Sequence, residues 1–512
     1  MAFTHVRAAA VPLTVLALLA AGCGTAAPER PQDVCGVAAP TLAPTADGAH
    51  SPRAGGGGGS VDGDGDGFDD LVVTRPGHFD DEEDPENPVA HDGSLLIVPG
   101  SEDGPDDGAA QSVVPGEDGV PASPQDDVRF GDTALSGDFD ADGATDIAVS
   151  AGPETEEDDD QGAIVLVWGG EGGVDGGTVV QDSGDVQPWL TAVGDFDGDG
   201  ASDMLVGVEW FGDESEVLYG PFDRDGAPAR TVSSGVDLEG LDHSFIVGDT
   251  DGDGCDDLVA FRSFEEMAHE TALWTGSEDG FEPAGTRANA DEGVVADVDG
   301  DGYGDLVVRE VGTTVEDGAS GPGAVTVYPG GPDGPAAEPA SRVGMDETGL
   351  PQNGVDGDEL GTVLEAGDVD GDGYADVAAA VNRPSGGEEP PVDEGDVVVL
   401  PGGPDGLTGE GARLLRPEEA DQYPQASPPP DDVYWDTYEE VPRTLLRLVD
   451  TDGDGADDVV AGRPSSVKGT VDAPAGPVRV YRGLQVQDGS LIPGDVRGID
   501  LPEGDGRQGL AG

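Results

Sequence analysis

The sequence predicts an all-β chain of many short strands, and three observations carry that prediction. Its 86 glycines and 41 prolines are spread along all 512 residues, which marks frequent turns. Apolar runs of strand length, such as "GAIVLVWGG" and "GDVVVLPGG", recur at intervals, as they would not in a uniformly disordered acidic chain. An acidic loop, D-x-D-x-D-G-x-x-D, occurs complete seven times, and each copy runs straight into an apolar segment.

The copies, loops 1 to 7, begin at Asp62, Asp138, Asp195, Asp249, Asp297, Asp368 and Asp450. They read "DGDGDGFDD", "DFDADGATD", "DFDGDGASD", "DTDGDGCDD", "DVDGDGYGD", "DVDGDGYAD" and "DTDGDGADD", followed by "LVV", "IAV", "MLV", "LVA", "LVV", "VAA" and "VVA". Successive starts lie 48 to 82 residues apart, which leaves room for a four-stranded sheet per repeat. Tandem calcium-solenoid repeats are spaced far more closely.

Four carboxylates within nine residues repel one another, so the folded loop needs water around every oxygen or a bound cation. Calcium takes six to eight hard oxygen ligands, and alternate residues of a tight loop supply them. Side chains at positions 1, 3, 5 and 9 and the backbone carbonyl at position 7 are the candidate ligands. In loop 1 these are Asp62, Asp64, Asp66, Phe68 and Asp70, and in loop 2 Asp138, Asp140, Asp142, Ala144 and Asp146. Loop 3 offers Asp195, Asp197, Asp199, Ala201 and Asp203, and loop 4 Asp249, Asp251, Asp253, Cys255 and Asp257. Loop 5 offers Asp297, Asp299, Asp301, Tyr303 and Asp305, and loop 6 Asp368, Asp370, Asp372, Tyr374 and Asp376. Loop 7 completes the set with Asp450, Asp452, Asp454, Ala456 and Asp458, for about seven calcium ions in all. Glycine at position 6 permits the sharp turn. Magnesium demands a stricter octahedron and keeps several waters, so four carboxylates suit calcium better. An EF-hand needs a glutamate at position 12, where this chain has Val73, Val149, Val206, Ala260, Val308, Ala379 and Ala461.

The second repeat shows the unit most fully: "FGDTALSGDFDADGATDIAVSAG", an acidic insert, then "GAIVLVWGG", with Phe130 and Gly131 expected to precede a short strand. These residues resemble the FG-GAP repeat of integrin α-subunit propellers and the related VCBS-type repeats of bacterial surface proteins. The sixth repeat, "LGTVLEAGDVDGDGYADVAAAV" through "GDVVVLPGG", is similar, with Leu360 in place of the family's phenylalanine. The resemblance implies a seven-bladed β-propeller over residues 61–512, with a metal between the first two strands of each blade. Blade 1 has only "GGGGGSV" where its first strand belongs. The C-terminal "GDGRQGLAG" either supplies that strand and closes the ring or is a frayed terminus.

The N-terminus "MAFTHVRAAAVPLTVLALLAAGC" reads as an export signal over residues 1–22. Its ending resembles a bacterial lipobox, which implies lipid attachment at Cys23 and an outward-facing anchored protein, with plain secretion as the competing reading. Residues 23–60 are a flexible tether rich in Ala, Pro, Thr and Gly. Cys35 and Cys255 remain as either a disulfide or two thiols.

A formal net charge of −87, from Lys+Arg 22 against Asp+Glu 109, argues against nucleic acid and against anionic membrane except through the lipid anchor. Calcium-dependent binding or adhesion at the cell surface is the expectation, by a monomer, with an extracellular glycan or protein as ligand. Trp210, Phe211, Tyr434, Trp435 and Tyr438 are the candidate ligand contacts; the alternative is that these aromatics pin down their own loops. The acidic inserts "TRPGHFDDEEDPENPVAHDG" and "GPETEEDDDQG" read as solvated loops. No G-x-S-x-G or H-E-x-x-H occurs and no catalytic residue is singled out, so the chain is read as non-catalytic. An extracellular carbohydrate-active hydrolase or lyase is the alternative.

Overall fold

The computed structural model describes residues 61–75, 78–80, 89–91, 93–122, 128–153, 163–180, 189–207, 215–238, 245–264, 267–311, 323–345, 359–383, 392–415, 445–462, 478–487, 490–492, 495–499 and 509–510. The fold is all-β: the single helical element among these residues is a 3₁₀ turn at Asp107–Ala109. The signal, the tether and the five candidate ligand aromatics lie outside the described residues.

Apart from three two-stranded hairpins, the described strands form seven antiparallel units of four, one per acidic loop, with one strand shared between two of them. Unit 2 runs Val128–Gly137, Asp146–Pro153, Ala163–Val167 and Gly177–Val179; unit 3 runs Trp189–Gly194, Asp203–Gly207, Ser215–Tyr219 and Arg230–Ser233. Unit 6 comprises Glu359–Gly367, Asp376–Arg383, Val392–Leu400 and Arg413–Leu415, and unit 7 Leu445–Val449, Asp458–Gly462, Val478–Arg482 and Asp495–Ile499. Units 4 and 5 depart from the expected separate sheets. Glu282–Ala296, 15 residues without interruption, ends unit 4 beside Glu270–Thr275 and opens unit 5 beside Asp305–Glu310, fusing the two into a seven-stranded sheet. Its register slips between Ala290 and Gly293, where the strand passes from one unit to the next.

Unit 1 is completed by the tail. Gly509–Leu510 pairs antiparallel with Leu71–Arg75, matching Leu510 to Val73 and Gly509 to Thr74, so both chain ends share one sheet. Two expectations need correction. Phe130 and Gly131 lie inside the first strand of unit 2, at a bulge where Gly131 takes φ +87°, a conformation that glycine adopts without strain. The first acidic insert holds a hairpin, His78–Asp80 against Val89–His91, because Phe79 and Val89 give its two ends strand character.

Why the strand segments read as unbroken apolar runs becomes clear from packing. Successive residues of a strand face opposite sides, and in these units both sides are covered. Val72 faces a core shared with Phe130, Ile147 and Val165 of unit 2, whereas Leu71 and Val73 face one shared with Leu445, Val460 and Val478 of unit 7. Further clusters join units 2 and 3, 3 and 4, 4 and 5, 5 and 6, and 6 and 7. Each of these unit-to-unit contacts therefore has its own apolar core.

Candidate metal centre

In units 2 to 7 the acidic loop is the turn between the first and second strands, and its position 9 aspartate is the first residue of the second strand. The strand ladder fixes that carboxylate. In loop 2, Asp146 accepts at Oδ2 from the Phe139 N–H at 3.0 Å and at Oδ1 from the Gly169 N–H at 2.8 Å. Asp70, Asp203, Asp257, Asp305 and Asp376 are held by the same two kinds of backbone donor. In loops 4 and 7 the hydroxyl of Thr250 or Thr451 also donates to the position 9 carboxylate.

The remaining carboxylates are caught by the loop's own amides. In all seven loops the position 6 glycine N–H donates to Oδ2 of the position 1 aspartate at 2.9 to 3.1 Å. The position 7 N–H donates in all seven to Oδ1 of position 5, at 2.9 to 3.1 Å. The turn thus aims consecutive amides inward, which is how a cluster of like charges is gathered before any ion arrives. Besides water or a cation, the backbone is thus a third remedy for the carboxylate repulsion.

The gathered oxygens suit a divalent cation. Ligand atoms of Asp62, Asp64 and Asp66 lie within 4.8 Å of one another, as do those of Asp195, Asp197 and Asp199 and of Asp249, Asp251 and Asp253. In loops 2 and 5 the close groups are Asp138, Asp140 and Asp146, and Asp297, Asp299 and Asp305. The fit to calcium rests on a further observation: Oδ1 of Asp140 and Oδ1 of Asp452, both at position 3, are buried without a hydrogen-bond partner. A buried anionic oxygen without a donor is costly, and a bound cation removes that cost.

Burial dominates the electrostatics. Desolvation pushes the position 9 carboxyls far above their ordinary value: Asp70, Asp146, Asp305 and Asp458 to about 7, and Asp203, Asp257 and Asp376 to about 8. Neighbouring loop aspartates add to the rise, while the backbone donors oppose it. Asp62 and Asp138 are raised in the same way.

Two positions that the sequence reading passed over link the loops to one another. The position 8 N–H of each loop donates to the position 1 carbonyl of the preceding loop: Thr145 to Asp62, Ser202 to Asp138, Asp256 to Asp195, Gly304 to Asp249, Ala375 to Asp297 and Asp457 to Asp368, at 2.7 to 3.1 Å. Asp69 donates to Asp450 at 3.0 Å, which completes the cycle between loops 1 and 7. At three junctions the position 8 side chain also accepts from the same neighbour's position 1 N–H: Asp69 from Asp450, Thr145 from Asp62 and Asp256 from Asp195. Position 2 is the second. Phe139 and Phe196 are buried and stack edge-on against Phe222 and Phe281 at 5.8 and 4.8 Å, anchoring the loops in the core.

Position 7 also reaches a neighbour. The ring of Tyr303 in loop 5 lies over Gly252 of loop 4, leaving only 2.7 Å to where a β-carbon would stand. Tyr374 covers Gly300 and Phe68 covers Gly453 in the same way. Where the following position 7 is alanine the space is open, and there position 4 tolerates Ala141 at φ +58°. Cys255, at position 7 of loop 4, is buried and disulfide-bonded, and Cys35 lies outside the described residues.

Comparison with known proteins adds one family match. Residues 130–167, which contain loop 2, match the FG-GAP repeat model. No curated protein matches the chain. Among solved structures it is similar to the rhamnogalacturonan lyase YesW, at 13% identity and TM-score 0.31, over 84% of this chain and 91% of that one. It is also similar to the Vibrio cholerae biofilm matrix protein Bap1, at 13% identity and TM-score 0.28, over 87% of this chain and 81% of that one. Both likenesses are too distant to transfer a fold or an activity. Among the described residues no helix is long and apolar enough to cross a membrane.

Proposed function

We propose that this chain is a seven-bladed, calcium-stabilised β-propeller that acts as a binding or adhesion module outside the cell, for a glycan or protein ligand. The observation that carries the reading is the closed cycle of seven loop-to-loop hydrogen bonds, position 8 N–H to position 1 carbonyl. It supports an arrangement in which all seven acidic loops share one rim and calcium at any one of them stiffens a turn that its neighbours lean on. Metal binding and folding are then one equilibrium. Export, and lipid attachment at Cys23, belong to the same proposal, as does the division into signal at 1–22, tether at 23–60 and propeller at 61–512.

The calcium rim is structural in this reading, and the ligand is taken on the opposite side by loops bearing Trp210, Phe211, Tyr434, Trp435 and Tyr438. The chain is a monomer with no catalytic centre. The deciding experiment is retention on a panel of polysaccharides and cell-envelope polymers, in calcium and in chelator. Calcium-dependent retention by one glycan class supports a lectin-like module, and replacing Tyr434 and Trp435 with alanine should then abolish it while leaving the melting temperature unchanged. Retention unchanged in that variant removes the aromatic site. Turnover of any polysaccharide replaces the binding reading with the hydrolase or lyase one.

A further inference from the structure

The seven loops share one motif but not one set of neighbours. Among the described residues arginine reaches the position 3 carboxylate in three of them. In loop 2, Arg224, from the turn before the fourth strand of unit 3, bridges two carboxylates: its Nε lies 2.5 Å from Asp140 and its Nη2 2.8 Å from Asp142. The guanidinium is steadied over the Trp168 ring at 4.7 Å. In loop 3, Arg230 pairs with Asp197 while lying over the Tyr219 ring. In loop 7, Arg482 lies 3.2 Å from Asp452. Among the described residues Asp64, Asp251, Asp299 and Asp370 have no such partner, and only neighbouring aspartates act on them as charges.

In two of these three loops the site differs in hydrogen bonding as well as in charge. In loops 1, 3, 4, 5 and 6 the position 5 N–H donates to Oδ1 of position 3 at 3.1 to 3.2 Å. In loops 2 and 7 that bond is missing. The Asp142 and Asp454 amides still pull on the carboxyl electrostatically, but Oδ1 of Asp140 and of Asp452 is left buried without a donor in bonding geometry. In these two loops arginine holds one oxygen of the carboxylate and the other is left without a donor, whereas in loop 3 Asp197 keeps the amide bond beside its arginine.

We propose that the loops form two classes of calcium site: loops 1, 4, 5 and 6 bind tightly, and loops 2, 3 and 7 bind more weakly because an arginine already supplies part of the counter-charge. The inference rests on the calcium reading above. Two effects act in the same direction. The guanidinium relieves carboxylate repulsion in the metal-free loop, so calcium gains less by entering, and it repels the ion once bound. Pre-ordering by arginine and the donor-free Oδ1 of Asp140 and Asp452 act the other way, but the amides to positions 1 and 5 already order every loop alike and one missing amide bond weighs less than a full charge beside the ion, so the charge term decides. Loop 2, where one guanidinium spans two ligands, is the weakest site. The arrangement lets units 2, 3 and 7 keep their loops shaped at calcium levels that fill only the other four.

The test is calorimetric titration of calcium into the decalcified full chain. The expected isotherm has four tight sites and three weaker by about tenfold or more, the scale of one unit charge beside the ion in a partly solvated site. R224Q should move one site from the weak class to the tight class, whereas R224K, which retains the charge, should not. R482Q repeats the test at loop 7, and melting each variant in saturating calcium identifies any that fails to fold. Seven equivalent sites, or an R224Q isotherm that is unchanged or weaker, overturns the division while leaving the calcium reading intact. No calcium uptake at all overturns the calcium reading itself.

Discussion

Loop 2, "DFDADGATD", and loop 5, "DVDGDGYGD", carry the same five motif residues and the same inward amides, yet they are held by different neighbours. Loop 2 takes a guanidinium from unit 3 and has alanine at positions 4 and 7. Among the described residues loop 5 takes no arginine, and its Tyr303 ring presses on Gly252 of the loop before it. One loop is steadied by charge from the next unit, the other by steric contact with the previous one. A repeat can thus preserve its chemistry while the means of holding it in place varies from copy to copy.

Removing calcium should produce the largest effect, and it should fall on both loops. At a hundredfold excess over Kd each site contributes about 2.7 kcal/mol of stability, so chelation of several sites should lower Tm steeply in a thermal melt. A melt indifferent to chelator would show that the loops are not structural metal sites.

Next comes pH, in the chelated protein. The position 9 carboxyls are raised by burial to about 7 or 8 from 3.8, so the folded state binds more protons than the unfolded one across that interval. Stability should therefore be highest near pH 4 and fall as pH rises toward 8. Calcium, which favours the ionised carboxylates, should reverse or flatten that slope. Equal melting temperatures at pH 5 and pH 8 in chelator would contradict desolvation as the dominant influence.

A smaller effect separates the steric contacts. Gly65 and Gly252 occupy the same loop position with positive φ, but a β-carbon at Gly65 meets nothing within 4 Å, whereas at Gly252 it meets the Tyr303 ring. Gly65→Ala should cost about 1 kcal/mol from backbone conformation alone, and Gly252→Ala roughly 1–3 kcal/mol more from overpacking. Tyr303→Ala in the same chain should recover the excess, and denaturant titrations of the cycle measure it. Equal costs at the two glycines would show that the ring yields without strain.

The smallest effect is the stability change in R224Q. The Arg224 side chain is 43% exposed, so its ion pairs should contribute at most about 1 kcal/mol, seen in chelator and diminished in calcium. A loss of several kcal/mol would mean that the arginine holds the junction between units 2 and 3 and is more than a local counter-charge.

Much of the candidate site was legible because its ligands are local. Positions 1, 3, 5, 6 and 9 sit within nine residues, and the tightness of the turn dictates which of them can converge. The strand after each loop was legible for the same reason, since an apolar run such as "IAV" has one way to hide both faces. Arg224 was not legible: it lies 82 residues from Asp142 and is one of 22 basic residues with nothing in its own neighbourhood to single it out. Position 8 was missed because its essential group is a backbone N–H, which Thr145, Ser202, Gly304 and Asp457 provide equally.

By itself, then, the sequence determined the number of acidic loops, the hard-oxygen chemistry they offer and the all-β class, because these depend on spacing and on the alternation of a strand. It also marked the tail as a possible partner for unit 1. Only the tertiary structure decided that Gly509–Leu510 pairs with Leu71–Arg75, that one 15-residue strand serves units 4 and 5, and that loop 7 hands its carbonyl to Asp69. The first and last of those contacts join residues hundreds of positions apart. They form because each strand has two apolar faces, and the last unit can cover its outer face only by meeting the first.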